Sequence, residues 1–454
     1  MKVVVIGAGL GGLSAAAQLV ARGHEVTIVE RDAIPGGRAG MVESNGFRLD
    51  NGPTVMTMPN LLEDVFNAVG TEMRDYVTIK KVDPMYRAVY ADGSELNVVH
   101  GRQEMAEEIS RFSNKIEAAS FLKFCTWLEK LYKAEMGSFI DTNFNSPLDL
   151  VKPWRAGLQL VKMGGFTKLD KKIGSFFKDE RLQRIFSFQS MYAGLAPYEA
   201  LSIYAVITYM DSVEGVYFPE GGMHSMASGL ANALTDKGVT IRYNAPVTRI
   251  LRSSGVNGAV TGVEVAGDER ISADAVVCNP DLPVAYRTLL GGVEAPRVAR
   301  RGKYSPSCVL WIAGVKGLPP ANAAHHNIHF GHDWNGSFKA LIEDGVRMPD
   351  PSVLVTLHSL DTKGLAPEGD SSLYVLEPTP NLDGKIDWSR ERDRIVGDVK
   401  NRVASLGYPT DVVVERVYDP LDWEAMGMER GTPFALAHTF FQTGPFRPNN
   451  VDKK

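Results

Sequence analysis

Near the start of the chain stands VVVIGAGLGGLSAAAQLVARGHEVTIVE, and its glycines restrict what can be built there. From Val3 to Ala21 the run carries no charge for 19 residues, close to the length of a bilayer-spanning helix. Gly7, Gly9, Gly11 and Gly12 interrupt it. The β-branched Val3, Val4, Val5 and Ile6 ahead of them favour a short buried strand. Behind them Leu13, Ala16, Ala17, Leu19 and Val20 recur at helical spacing. After Gly23, the run Val26, Ile28, Val29 makes a second strand with Glu30 at its end. Strand, glycine turn, helix, strand is read as a nucleotide-holding unit rather than a secretory leader or a membrane anchor.

Gly7, Gly9 and Gly12 form G-x-G-x-x-G: the first allows the tight turn, the second lets a pyrophosphate approach the backbone, and the third lets helix and strand pack closely. The helix start then offers unpaired N–H groups and the positive end of its dipole to the phosphates. Glu30 lies 18 residues beyond Gly12, near the spacing of a carboxylate that binds ribose hydroxyls. Gly36, Gly37 and Arg38 follow it, and an arginine fork suits phosphate oxygens.

At 454 residues the chain exceeds one ordinary core and calls for two or three domains. A net charge of −5 gives no general basis for binding nucleic acid. Cys125, Cys278 and Cys308 are too few and too scattered for a disulfide framework or a zinc site, which fits a reducing cytoplasm. His325, His326 and His329 are read as a loop cluster, without a metal. From about Gln103 to Met210 the pattern is helical, as in EAASFLKFCTWLEKLYKAEM. Short alternating strands return after FPEGGM, and Ala275 to Cys278 reads as another buried one. A nucleotide-binding domain interrupted by an insertion gives this order.

GAGLGGLSAAAQLVARGHEVTIVERDAIPGGRAG, GFRLDNGPTVMTMP, FSFQSMYAGLAPYEALSIYAVI, GVYFPEGGMHSMASGL, DAVVCNPDL, HHNIHFG, APEGDSSLYVLEPTPNL and FFQTGPFRPNN, in this order, resemble the bacterial and fungal phytoene desaturases, in a wider flavoprotein superfamily with amine oxidases. The resemblance implies an α/β fold with a discontinuous, Rossmann-like FAD-binding domain, an inserted helical region and a mixed-sheet substrate domain. On that basis residues 1–80, 216–290 and 429–454 are expected in the FAD-binding domain. Residues 81–102 and 291–428 are expected in the substrate domain, with 103–215 as a helical region facing substrate and membrane. The family also implies a closing strand, glycine-rich segment and helix after RPNN, which this sequence does not contain.

Carried over by resemblance, Gly7, Gly9 and Gly12 are the pyrophosphate turn, Glu30 the ribose anchor, Arg38 a further phosphate contact and Val247 a backbone contact to adenine. Gly52, Pro53 and Thr54, with Gly221, Gly222 and Met223, are expected along the isoalloxazine. Asp149 and Arg155 fall where the family has its candidate catalytic groups. The implied activity is FAD-dependent desaturation of a C30 or C40 polyene, with quinone or oxygen as electron acceptor. A carotenoid isomerase, an amine oxidase type of flavoenzyme and a non-enzymatic lipid carrier remain the alternatives. A polyene has no polar handle, so an apolar tunnel must orient it. Phe186, Phe188, Met191, Tyr192, Tyr204, Ile207 and Tyr209 are candidates for its wall.

Such a substrate dissolves in a bilayer, which implies a protein of the cytoplasm held peripherally at a membrane surface. Lys152 to Arg181 carries eight basic residues against three acidic, a local charge of +5, interleaved with Trp154, Leu158, Phe166, Phe176 and Phe177. That composition suits an interfacial segment.

Overall fold

The computed structural model describes residues 1–144, 146, 148–149, 152–253, 258–291 and 293–447. Strand β1 (Lys2–Ile6) is buried from Val3 onward, and helix α1 (Leu10–Ala21) and strand β2 (Glu25–Val29) follow the glycine turn. Helix α1 buries Gly12, Leu13, Ala16 and Ala17, and the glycine lets helix and strand backbones come close. Strands β1 and β2 pair in parallel, Val3 opposite Val26. A hairpin of β3 (Met41–Ser44) and β4 (Phe47–Asp50) comes next. Its turn residues Asn45 and Gly46 have φ of 52° and 82°, the mirror-image turn that matches strand twist and favours Asn-Gly. Helix α2 (Pro59–Ala68) leads to β5 (Ile79–Lys81), β6 (Tyr86–Val89) and β7 (Glu95–Val98).

The middle of the chain holds α3 (Arg102–Phe112), α4 (Lys115–Glu135), α5 (Trp154–Lys162), α6 (Leu169–Phe176), α7 (Glu180–Ile185) and α8 (Ala205–Tyr209). Helix α4 starts where the Asn114 side chain accepts from the N–H groups of Ile116 and Glu117, at 2.9 and 3.0 Å, a cap that contributes about 1 kcal/mol. Its Phe121, Phe124, Leu128 and Leu131, three and four apart, form the buried stripe. Helix α8 runs directly into a π turn, Met210–Glu214.

The chain then returns. Strand β8 (Tyr217–Pro219) pairs with β5, and helix α9 (His224–Asp236) leads to β9 (Thr240–Arg242). Strands β10 (Val247–Arg252), β11 (Val260–Val265) and β12 (Glu269–Ser272) form an antiparallel meander. Strand β13 (Ala275–Cys278) comes to lie beside β1, which completes a parallel sheet of order β13-β1-β2-β9. The sequence reading had β13 buried. It is only partly so, and Cys278 is exposed, because among the described residues β13 is an edge strand paired with β1 alone.

Strands β14 (Ser307–Lys316), β15 (His326–His329), β16 (Val353–Thr356), β17 (Asp370–Thr379) and β18 (Asp411–Tyr418) join β6 and β7 in a mixed sheet of order β18-β14-β17-β16-β15-β6-β7. Side chains alternate across it. Trp311, Ala313 and Val315 of β14 pack, on one face, with Val399 and Val403 of the helix Trp388–Ser405. The opposite face presents Leu310, Leu354, Tyr374 and Leu376 to a cavity. The α/β class thus holds, with a discontinuous parallel sheet, a helical insertion and a mixed sheet.

Candidate active site

Three glycines at the β1–α1 turn have three different reasons to be glycine. Gly7 sits at φ +99°, which L side chains rarely adopt. A β-carbon on Gly12 would lie 2.1 Å from the Gly7 carbonyl oxygen, so helix and strand could not close. Gly9 is extended (φ −71°), and a β-carbon there would meet its neighbours at an ordinary 3.6 Å or more. The protein itself therefore leaves room at Gly9. Among the described residues no side chain is seen to cap the first turn of α1, which leaves its N–H groups for an anionic ligand.

Glu30 is buried at the end of β2. Its Oε2 accepts from the Ala8 N–H at 2.6 Å and its Oε1 from the Asp32 N–H at 2.9 Å. Each oxygen keeps a lone pair for a hydroxyl donor. Gly36 donates its N–H to the Ala8 carbonyl (2.9 Å), which brings the second glycine cluster against the first. Arg38 pairs with Asp281 at 2.6 Å. Val247 opens β10 and packs with Val4, Ile6 and Val29. An uncapped helix start, glycine at the point of approach, a buried carboxylate and an arginine together fit a dinucleotide such as FAD.

Asp50, at the end of β4, accepts from the N–H groups of Met223 (2.7 Å) and His224 (3.1 Å) at the start of α9. Burial pushes its carboxyl up to about 6, against the pull of those two bonds. Gly222 is at φ +94°, and a β-carbon there would lie 2.6 Å from Asp50 Oδ2. Gly222 and Met223 therefore meet Asp50, and none of Gly221, Gly222 and Met223 is among the residues that line the cavity. Gly52, Pro53 and Thr54 are in the wall, with Gly52 tight against the Arg38 carbonyl.

The cavity has a volume of about 590 Å³. Gly37, Arg38 and Gly52 to Thr54 bound one part of it, and the wall is otherwise mostly aliphatic and aromatic. Of the tunnel candidates, Phe188, Met191, Tyr192 and Ile207 line it. Phe186 instead packs on Phe121, Phe124 and Phe177, Tyr209 packs on Tyr132, and Tyr204 donates its hydroxyl to the His438 carbonyl. A helix turns only one face to a cavity, so a list drawn from one continuous stretch includes core positions.

Asp149 and Arg155 are not among the lining residues. Asp149 pairs with Lys152 at 2.7 Å, and Arg155 is exposed, its guanidinium over the Trp154 ring. The histidines lie on and beside strand β15, buried, not in an open loop. His326 has Nδ1 3.1 Å from the Met85 carbonyl and Nε2 3.0 Å from the Thr54 carbonyl; burial lowers it to about 3, so the neutral ring donates its one N–H to one of them. His325 pairs with Asp361 at 2.8 Å. Sequence reasoning missed Asp211 and Tyr86, both in the cavity wall. The signal was there: one acid in the apolar run YAVITYMDS.

Residues 10–432 match the family described as flavin containing amine oxidoreductase. Phytoene dehydrogenase of Streptomyces griseus is 46% identical over 99% of this chain and 88% of its own length. The zeta-carotene-forming phytoene desaturase of Myxococcus xanthus is 35% identical over 100% of this chain and 87% of its own. Among solved structures, an oxidoreductase from Methanosarcina mazei superposes with a TM-score of 0.58 at 18% identity, over 92% of this chain and 88% of the other, which shows the shared fold. The uncapped glycine turn and the cavity beyond it therefore sit in a chain that belongs to the flavin containing amine oxidoreductases and, within them, to the phytoene desaturases, which are FAD-dependent.

Proposed function

We propose that this flavoenzyme introduces double bonds into a C30 or C40 polyene of the phytoene type, laid along the cavity between β14–β17 and the Phe188–Ala193 turn. The cavity carries the reading: one space runs from Gly37 and Arg38, beside the glycine turn, along a wall that is mostly aliphatic and aromatic. A hydrocarbon offers nothing to hydrogen-bond, so shape must hold it, and holding it in line lowers the entropic part of the barrier. Bound FAD supplies the two-electron acceptor for a hydride. In this reading Gly7, Gly9 and Gly12 admit the pyrophosphate and Arg38 meets a phosphate oxygen. The Val247 backbone meets the adenine, and Gly52, Pro53 and Thr54 border the ring. A quinone or oxygen takes the electrons on. The test is anaerobic addition of phytoene in liposomes to the FAD-loaded protein: flavin absorbance should bleach and polyenes of the same carbon number with more conjugated double bonds should appear on chromatography. Bleaching by an amine, with none by phytoene, would replace this reading by the amine oxidase one.

Glu30 anchors the adenosine ribose in the same proposal. In Glu30→Gln an amide NH₂ must face either the Ala8 or the Asp32 N–H, donor against donor. FAD binding is expected to weaken by about 1–3 kcal/mol, read by fluorescence titration. An unchanged dissociation constant would remove the role.

The protein works at a membrane surface, though no described helix is long and apolar enough to cross one. What supports this is helix α5. Trp154, Leu158 and Val161, at i, i+4 and i+7, are 59%, 47% and 59% exposed, a solvent-facing apolar stripe with Arg155 and Lys162 beside it. Exposed Phe166 meets the ring of Phe440, and Phe441 adjoins that ring. Trp154→Ser with Phe166→Ser should weaken flotation with neutral and anionic liposomes alike. Lys162→Gln with Lys171→Gln should cost about 2 kcal/mol on anionic liposomes only, and less in salt. If neither pair changes flotation, this surface is an ordinary wet face.

A further inference from the structure

Desaturation removes two hydrogens from a CH2–CH2 unit, one with both electrons and one as a proton, and the proton needs an acceptor within the cavity. Among the described residues that line it, Asp211 is the one carboxylate and Arg38 the one cation, and Arg38 is already paired with Asp281. Asp211 lies in the π turn Met210–Glu214 and is 1% exposed. Three donors from three segments hold it: the Tyr86 hydroxyl on Oδ2 at 2.5 Å, and the Ser212 hydroxyl (2.6 Å) and Gln189 amide (3.3 Å) on Oδ1. None of them is a cation. The cavity-lining neighbours Tyr86, Tyr192 and Met210 surround it.

We propose that the Asp211 carboxylate accepts the proton lost from the polyene as CH2–CH2 becomes CH=CH, the hydride and its electron pair passing to oxidised FAD. One C–H bond breaks heterolytically toward each acceptor, the carbon–carbon double bond forms, and Asp211 becomes a neutral carboxylic acid. This rests on the desaturase reading. The setting suits the task, because burial raises the carboxyl to about 6 while the three hydrogen bonds hold it down, and a base works best with its pKa near the operating pH. The titratable groups facing it are Tyr86 from β6 and Tyr192 from the Phe188–Ala193 turn.

The test uses FAD-loaded protein on phytoene liposomes. The parent must bleach on adding phytoene; if it does not, the desaturase reading fails and not merely this one. With an active parent, Asp211→Asn should slow single-turnover bleaching about 10²–10⁴-fold at unchanged polyene affinity. It should also remove from the infrared spectrum a carboxylic acid C=O band that titrates near pH 6. Tyr86→Phe keeps the carboxylate but removes a bond to its charged form, so both the band and the acid limb of the bleaching rate should move to higher pH. A purely structural Asp211 would leave that limb in place. Bleaching by Asp211→Asn at the parent rate, or a pH limb unmoved in Tyr86→Phe, overturns the assignment.

Discussion

Gly9→Ala is expected to fold as the parent does and to lose FAD, its affinity falling at least a hundredfold, about 2.7 kcal/mol. The backbone at Gly9 is extended, and the added β-carbon would stand 3.6 Å from the Asn279 amide, 3.7 Å from the Gly36 carbonyl oxygen and 3.9 Å from Gly37 Cα, all ordinary contacts. What it does obstruct is the space in front of the uncapped start of α1, where a pyrophosphate must come within hydrogen-bond distance. Gly12→Ala is the opposite case. Its β-carbon would overlap the Gly7 carbonyl, and overpacking against backbone costs about 3 kcal/mol or more, so that variant should fail to fold. Circular dichroism and flavin content of the two purified proteins separate the effects. If Gly9→Ala retained FAD at parent affinity, the turn would not be the phosphate site.

The second large effect is one of pH. Glu135 ends helix α4, buried, with no partner for its Oε1 among the described residues, and burial pushes its carboxyl from 4.5 up to about 9. The folded-state value is the higher one, so the native protein keeps a proton that the unfolded chain releases. The stability tied to it is present in full below pH 4.5 and is lost progressively as pH rises toward 9. Glu135→Gln carries no charge at any pH. It should match the parent near pH 4 and exceed it by about 5 kcal/mol at pH 8, as urea midpoints would record. Asp50 and Asp211, both raised to about 6, add slopes of the same sign between 3.8 and 6. A difference between Glu135→Gln and parent that did not grow with pH would mean the carboxyl is solvated and charged.

The glycine turn and its geometry were legible because their determinants are local. A tight turn, a close approach and a strand-end acid fall within the first 30 residues, and each residue type has a steric or hydrogen-bonding reason to be there. The cavity was legible only in part. Its floor comes from Leu310, Leu354 and Tyr374, on three strands that sequence distance separates, and alternation tells that such residues share a face without telling what that face covers. Gly221 to Met223 are expected along the flavin; the structure adds that Gly222 and Met223 meet Asp50, with Met223 and Asp50 lying 173 positions apart. Asp211 was passed over because a single acid at the end of an apolar helix reads as a surface residue until the π turn directs it inward.

The pairing of β1 with β13 has a consequence for how the chain is made. Lys2 donates its N–H to Asp274, 272 positions later. At the usual pace of synthesis that interval is roughly 15–55 s. Throughout it β1 has one open edge, of the apolar and β-branched kind that invites pairing with another nascent chain. The glycine turn is translated first, but β9 and β13 must emerge before the sheet supporting it is whole. Cofactor capture therefore belongs to the late part of translation or after release, and until β13 emerges the edge of β1 is open whether or not FAD is present.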